Sequence, residues 1–283
     1  MNYEQVGENM WINKVTNKLF STQKFRGEHG KEFNFLARPG SFISSPYGLR
    51  QYLNFFDRTG IDRPKMTITD EIVFSNHDNG LDGKRVLVLG GGPSASQIDW
   101  ESKYDIVITS NNYYKKFKKD PYLISFTPYI PIMDEQIHSF LKSNNSLIGI
   151  EPEFLKIHEQ KSISKFCKLF EGRIVFHHTR YSSTLGVGAR QSVLAVLLGA
   201  SEVHMCGLDL FKSEDTSSHS FEGKKGAPRW RQMGEEFQNR QIIAFWSYLS
   251  KIAKERNCII KNISEDLECN CMAFISKEYE EKK

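Results

Sequence analysis

VLVLGGGPS, residues 86–94, joins an uninterrupted apolar run to a glycine turn. Val and Leu runs bounded by Gly are typical of strands that are buried on both faces of a parallel sheet. Glycines let the backbone approach a ligand closely, and the amides beyond a strand end can form an anion-binding pocket. The stretch therefore predicts a buried parallel strand with a phosphate or ribose bound beyond its carboxyl end.

Similar short apolar runs recur along the chain and alternate with helical or turn-forming segments. They lie at residues 105–108, 123–126, 147–150, 174–176, 203–206 and 259–260. Two helices are predicted between the later strands, one over residues 188–198 that ends at the cap residue Gly199, and one over residues 235–255 with an apolar stripe. The alternation predicts an α/β fold with a Rossmann-like, mostly parallel sheet flanked by helices.

The predicted organisation has three parts. Residues 1–82 contain aromatic clusters without a sustained period of 2 or 3.6, and we interpret them as an N-terminal aromatic-rich extension packed on the core. Residues 83–268 form the predicted nucleotide-sugar-binding catalytic domain. Residues 269–283 are rich in Glu and Lys and are predicted to be a solvated C-terminal tail.

Composition excludes several classes of protein. No run approaches the roughly 18 apolar residues that a membrane-spanning helix needs, and the first residues lack the pattern of a secretory signal. We therefore expect no membrane span and a cytoplasmic location.

The net charge of +4 is too mild to indicate nucleic-acid binding by itself. Of the five cysteines only Cys269 and Cys271 are close together, so reduced thiols are expected rather than a zinc site.

A nicotinamide enzyme is disfavoured, although Gly90-x-Gly92-x-x-Ala95 nominally fits a dinucleotide fingerprint. That fingerprint expects a full helix after the turn and an acidic residue after the next strand. Here the connection is short, and the next strand ends in Asn111 and Asn112. The Asn111 amide could contact a base or ribose, or it could cap the following turn.

Two later segments also carry candidate site residues. His177 precedes a helix N-terminus that is rich in small residues, which suits a general base close to a bound anion, although a lone histidine is more often a surface residue. Asp209 follows a strand end, and a polar loop comes after it, either an acceptor-binding lid or a solvated connection.

Four motifs resemble those of the bacterial lipooligosaccharide sialyltransferases, and more broadly of motility-accessory-factor glycosyltransferases and pterin pyrophosphokinase-like proteins. Residues 89–94 with 98–100 are similar to the family's Gly-Asn-Gly-Pro-Ser turn and Ile-Asp-Tyr, although Gly91 replaces the asparagine. Residues 110–114, 197–211 and 217–222 are similar to its Cys-Asn-Gln-Phe-Tyr segment, its helix end with Ser-Gly-Ile-Asp-Phe-Tyr, and its Ser-Ser-Tyr-Ala-Phe-Asp. The resemblance covers roughly residues 84–264.

The resemblance implies a metal-independent, inverting glycosyltransferase of the GT-A-variant kind, with a CMP-linked, sialic-acid-like donor, a hydroxyl acceptor on a glycan and no required cofactor. Phe176-His177 falls on the family's Phe-His, which makes His177 the implied catalytic base. The implied donor-binding residues are Gly90, Gly91, Gly92, Pro93, Ser94, Asn111, Asn112, Thr184, Gly186, Gly188 and Asp209. Candidates for phosphate or acceptor binding, chosen by proximity, are Lys116, Arg180, Tyr181, Ser218 and His219. A homo-oligomer is compatible with the resemblance.

Three alternatives stay open at this point. A pterin pyrophosphokinase-like enzyme would use ATP and magnesium, for which Asp209 could supply a carboxylate. The lysines at 115–119 and 224–225 suggest a glycosyltransferase acting on modified DNA, although such charges are more often a solvated face. The third alternative is a nucleotide-binding module without turnover.

Overall fold

The structure is a computed structural model. It describes residues 3–7, 10–13, 19–26, 32–37, 60–61, 66–68, 73–75, 81–96, 103–110, 123–126, 135–151, 160–179, 185–208 and 235–264.

Strands make up most of the described elements. They are β1 Tyr3–Gly7, β2 Met10–Asn13, β3 Leu19–Arg26, β4 Glu32–Ala37, β5 Met66–Ile68, β6 Val73–Ser75, β7 Arg85–Leu89, β8 Ile106–Ser110, β9 Leu123–Phe126, β10 Leu147–Ile150, β11 Ile174–His178, β12 Glu202–Cys206 and β13 Ile259–Asn262. The α-helices are α1 Glu135–Lys142, α2 Gln160–Leu169, α3 Val187–Leu197 and α4 Glu235–Glu255, and Pro93–Ser96 forms a 3₁₀ turn.

The main sheet has the strand order β13-β12-β7-β8-β9-β10-β11-β6-β5. The strands from β13 to β11 in this order are parallel, whereas β6 pairs antiparallel with β11 and β5 pairs antiparallel with β6. The chain moves outward from β7 to β11 and then returns to the other side of β7 to form β12. A mostly parallel α/β fold is therefore confirmed, with its topological switch point between β7 and β12.

The helices cover the sheet as right-handed crossovers require. Because the direction of travel reverses after β11, α1 and α2 belong on one face and α3 and α4 on the other. Residues of α3 and α4 share one buried apolar cluster with Val86, Val88 and Val203. Every residue of α3 is buried. Because α3 is buried all round, its apolar residues are not confined to one face.

Seven predicted strands and both predicted helices are confirmed. The apolar runs from residue 86 onward form β7 to β13, and the helices span 187–197 and 235–255. Gly199 has φ 95°, which is the left-handed conformation expected after a helix end. Strands buried on both faces leave long apolar runs in the sequence, which makes them the easiest elements to predict.

Two helices were not predicted. In α1, Ile137 and Leu141 are buried four residues apart, and in α2 Phe166 is buried. The His138 ring lies 5.5 Å from the ring of Phe166, so α1 and α2 pack together. Both helices are short, so their apolar residues repeat over only two or three turns of helix.

The N-terminal part of the chain contains more regular structure than the sequence pattern indicated. β1 to β4 form a four-stranded antiparallel sheet, and β5 and β6 extend the main sheet beyond β11. The main sheet therefore takes strands from before residue 83. The boundary near residue 82, and the packing of the predicted extension, stay predictions.

Within the described ranges, no helix has both the length and the apolar character that crossing a membrane requires. Cys167, Cys206 and Cys258 are free and buried. Burial raises the pKa of the Cys167 thiol to about 12, so this thiol stays protonated at neutral pH.

Candidate functional site

The glycine turn, Gly90 to Gly92, lies at the carboxyl end of β7, beside the end of β12. The amide of Gly90 donates to the carbonyl oxygen of Cys206 at 2.8 Å, and that of Gly92 donates to the carbonyl oxygen of Gly207 at 2.7 Å. The amide of Gly207 in turn donates to the Ser94 hydroxyl oxygen at 3.0 Å. Two glycine amides therefore bind the protein itself. Among the residues the structure describes, none accepts a hydrogen bond from the Gly91 amide.

Three predicted segments meet at this switch point. A Cβ added to Gly90 would overlap the carbonyl oxygen of Gly207, and one added to Gly207 would overlap that of Gly90. A Cβ on Gly188, in the first turn of α3, would overlap the side chain of Leu208. The ends of β7 and β12 and the start of α3 are thus in direct contact. Their glycines are needed for this close packing.

His177 lies at the same edge of the sheet but farther along it. It is the penultimate residue of β11, and three strands separate β11 from β7. Four inter-strand spacings of about 4.8 Å place it ~19 Å from the glycine turn along the sheet. The two features therefore share the carboxyl edge, at a separation that only an extended ligand could bridge. The His177 side chain is 0% exposed.

A buried ion pair stands next to His177. Glu151 follows β10 directly, and Arg190 lies in the first turn of α3. Arg190 Nε lies 2.8 Å from one Glu151 carboxylate oxygen, and Nη2 lies 2.8 Å from the other, so the contact is bidentate. Side-chain exposure is 11% for Arg190 and 1% for Glu151. Sequence reasoning missed this pair, although a Glu directly after an apolar run and an Arg inside an apolar helix are both visible signals.

Strand register places Glu151 beside His177. Ile150 pairs with Phe176 across β10 and β11, and Glu151 and His177 are the residues that follow this last pair, so the register brings them next to each other. Side chains alternate between faces along a strand. His177 therefore emerges on the face of Val175, whose side chain belongs to the cluster covered by α3 and α4. Arg190 reaches Glu151 from that same face.

Thr179 completes this group at the carboxyl edge. Its side chain is 1% exposed, and no described side chain or backbone group hydrogen-bonds its hydroxyl. A buried hydroxyl without a partner costs about 1–3 kcal/mol, which a ligand could recover. We call Glu151, His177, Thr179 and Arg190 the edge cluster.

Several predicted site residues lie outside the described residues. These are Asn111, Asn112, Lys116, Arg180, Tyr181, Thr184, Asp209, Ser218 and His219, and the lysine clusters that suggested DNA binding. Of the others, Pro93 and Ser94 begin the 3₁₀ turn after the glycine turn. Gly186, with φ 91°, caps the start of α3 without a side-chain hydrogen bond. In the described part of the chain, no three His, Cys, Asp or Glu side chains are grouped as a metal site would require.

A second polar group lies on the opposite face of the sheet, away from the edge cluster. The Tyr104 hydroxyl lies 2.9 Å from Nδ1 of His204, and Nε2 of His204 lies 3.6 Å from the Glu202 carboxylate. Burial lowers the pKa of the His204 imidazole below its usual value, against the opposing effect of Glu202. Burial likewise raises the pKa of Tyr104 to about 12. This group is a structural network and not part of the site.

The lowered pKa of His204 predicts a loss of stability in mild acid. An unfolded histidine takes up a proton near pH 6.5, whereas folded His204 resists protonation, so its contribution is complete above that pH and falls as the pH drops below it. We expect His204→Gln to lose less unfolding free energy than the wild type between pH 7.5 and pH 5.5, measured by urea denaturation. Equal losses in the two proteins would contradict this assignment.

Comparisons with known proteins complete the description. No protein-family model matches the sequence, and no curated protein matches it. The chain is similar in structure to the sialyltransferase CstII from Campylobacter jejuni, solved with the substrate analogue CMP-3FNeuAc. The identity is 17%, the match covers 65% of this chain and 83% of that chain, and the TM-score is 0.43.

The monofunctional alpha-2,3-sialyltransferase Cst-I from Campylobacter jejuni is a further structural neighbour. It shares 15% identity over 69% of this chain and 82% of its own, with a TM-score of 0.42. At identities and TM-scores this low, the similarities establish neither the fold nor the function of this chain. Its α/β architecture follows instead from the strand order and register.

Proposed function

We propose that the protein is a metal-independent, inverting glycosyltransferase with a CMP-linked, sialic-acid-like donor and a hydroxyl acceptor on a glycan. One observation carries the proposal: the glycine turn and His177 lie on the same carboxyl edge of one sheet. In open α/β sheets, ligands bind outside the carboxyl ends of the strands at the switch point. The motif resemblance to sialyltransferases supports the donor class.

In this proposal the donor lies along the edge. The nucleotide end is bound at the switch point, where the Gly91 amide and the first turn of α3 face an anion. The sugar extends towards β11, which suits the separation of about four strand spacings between the two features. A nucleotide-sugar is an elongated ligand of this kind, with a charged phosphate between its two ends.

His177 acts in this scheme as the general base. Its imidazole takes the proton from the acceptor hydroxyl, the oxygen attacks the anomeric carbon, and the bond to the phosphate breaks as CMP leaves. Positioning and fixed dipoles at the leaving phosphate supply most of the remaining rate. Because His177 is 0% exposed, the groups that cover it have to move when the acceptor binds.

A thermal-shift experiment tests the donor class. A ligand that binds only the native state raises the apparent stability by RT ln(1 + [L]/Kd), so a concentration of about 100 Kd adds about 2.7 kcal/mol. We expect CMP and CMP-sialic acid to raise the melting temperature, and UDP, GDP and ATP to leave it unchanged. A shift with ATP alone would contradict the proposal and favour the pyrophosphokinase alternative.

Removing divalent metal ions also distinguishes a CMP-sugar glycosyltransferase from a pyrophosphokinase, here by measuring activity. Transfer from CMP-sialic acid should be unchanged by EDTA, because protein groups stabilise the leaving phosphate in the proposed mechanism. A pyrophosphokinase needs magnesium bound to its nucleotide phosphates and would lose activity. Complete loss in EDTA, restored by added magnesium, would overturn metal independence.

A further inference from the structure

The edge cluster contains two charged groups to which the proposed mechanism assigns no role. Glu151 and Arg190 are buried, bonded to each other in bidentate fashion, and adjacent to His177. Buried ion pairs are weak contributors to stability, since apolar residues of similar volume often serve as well or better. Their place beside the candidate base suggests another role.

We propose that Glu151 and Arg190 are positioning residues that keep the His177 imidazole neutral at rest and stabilise the cation formed when it accepts a proton. The catalytic role that this inference gives to the two residues rests on the proposed function. The electrostatic coupling between the three side chains is independent of which reaction the protein performs.

Charges close to an imidazole change its pKa. A lone buried carboxylate beside an imidazole raises the fraction of imidazolium, the form that has no lone pair with which to accept a proton. Arg190 neutralises Glu151, so the resting imidazole faces a pair with no net charge. The negative charge within the pair nevertheless still acts on a neighbouring group. Glu151 can therefore still stabilise the imidazolium that forms during transfer.

The described segments next to His177 are β6, its own strand, β10 and α3. On β6 its register partner is Phe74, and neither Phe74 nor the neighbouring Val73 carries a titratable group. On its own segment His178 and Thr179 follow, and β10 and α3 contribute Glu151 and Arg190. Glu151 and Arg190 are thus the charged side chains whose effect on the imidazole is tested by substitution.

The test uses two single variants with opposite expected effects. In Arg190→Gln the uncompensated carboxylate should raise the pKa of His177 by about one unit or more, and in Glu151→Gln the uncompensated guanidinium should lower it by a similar amount. The acid limb of kcat/KM for transfer should move to higher pH in the first variant and to lower pH in the second. A merely structural pair would not shift the limb in opposite directions.

An NMR titration of the full-length protein without substrate gives a readout that does not need activity. The His177 imidazole signal is assigned by its absence from the spectrum of His177→Gln. Opposite pKa shifts in the two variants support the coupling even if no CMP-sugar is turned over, in which case only the proposed function fails. Absent shifts, or shifts in the same direction, would overturn the inference whatever the activity.

Two further variants leave the ion pair without net charge, and they test the inference if either single variant does not fold. Arg190→Lys preserves the charge, and the double variant Glu151→Gln/Arg190→Gln removes both charges. His177 should titrate in both as in the wild type. A shift of about one unit or more in either protein would show that geometry, and not charge balance, governs the imidazole, and would overturn the inference.

Discussion

Replacing His177 with Gln should reduce glycosyl transfer by about 10²–10⁴-fold, because that is the range attributed to a positioned general base. Gln nearly fills the volume of the imidazole and can form hydrogen bonds, but it cannot accept the acceptor's proton. His177 is fully buried, so His177→Ala would also leave a cavity. Initial rates with CMP-sialic acid at saturating donor measure the effect.

CMP binding separates a catalytic role of His177 from a structural one. The nucleotide is proposed to bind at the switch point, about four strand spacings away, so the thermal shift with CMP should be unchanged in His177→Gln. His138→Gln serves as the matched control, since His138 lies on α1, in contact with Phe166 rather than with the edge cluster. Loss of both CMP binding and transfer, or wild-type transfer in His177→Gln, would contradict the assignment.

Gly207→Ala should destabilise the protein by about 2–5 kcal/mol, from two additive causes. Gly207 has φ 68°, a conformation that costs an L residue about 1–2 kcal/mol. Its Cβ would also overlap the carbonyl oxygen of Gly90, which is backbone and cannot rotate away. Overpacking of this kind typically costs about 1–3 kcal/mol. Urea denaturation monitored by circular dichroism measures the difference.

Gly172→Ala is the matched control for this prediction. Gly172 has φ 79°, but a Cβ there would meet no atom within 4 Å, so only the conformational cost applies. We therefore expect Gly207→Ala to be clearly less stable than Gly172→Ala and to lose the thermal shift with CMP. If the two variants are equally stable, the ends of β7 and β12 do not pack as closely as described.

The sequence was sufficient to predict the parallel part of the sheet. A strand buried on both faces has to be apolar at successive positions, and the run at 86–89 followed by glycines satisfies that requirement locally. The final turn of α3 is equally local, because a positive φ at Gly199 depends on the missing Cβ. The short strands β5 and β6 carry no comparable pattern, since their place depends on the pairing of β6 with β11 and of β5 with β6.

What the sequence by itself determined was the class of fold and the residues that could bind an anion or accept a proton. Only the tertiary structure decided that two glycine amides are used inside the protein, that His177 is buried, and that Glu151 and Arg190, 39 residues apart, form a pair beside it. The physical reason is that local conformation follows from neighbouring side chains. The environment of a charge depends instead on strand order and helix placement, which bring distant segments together.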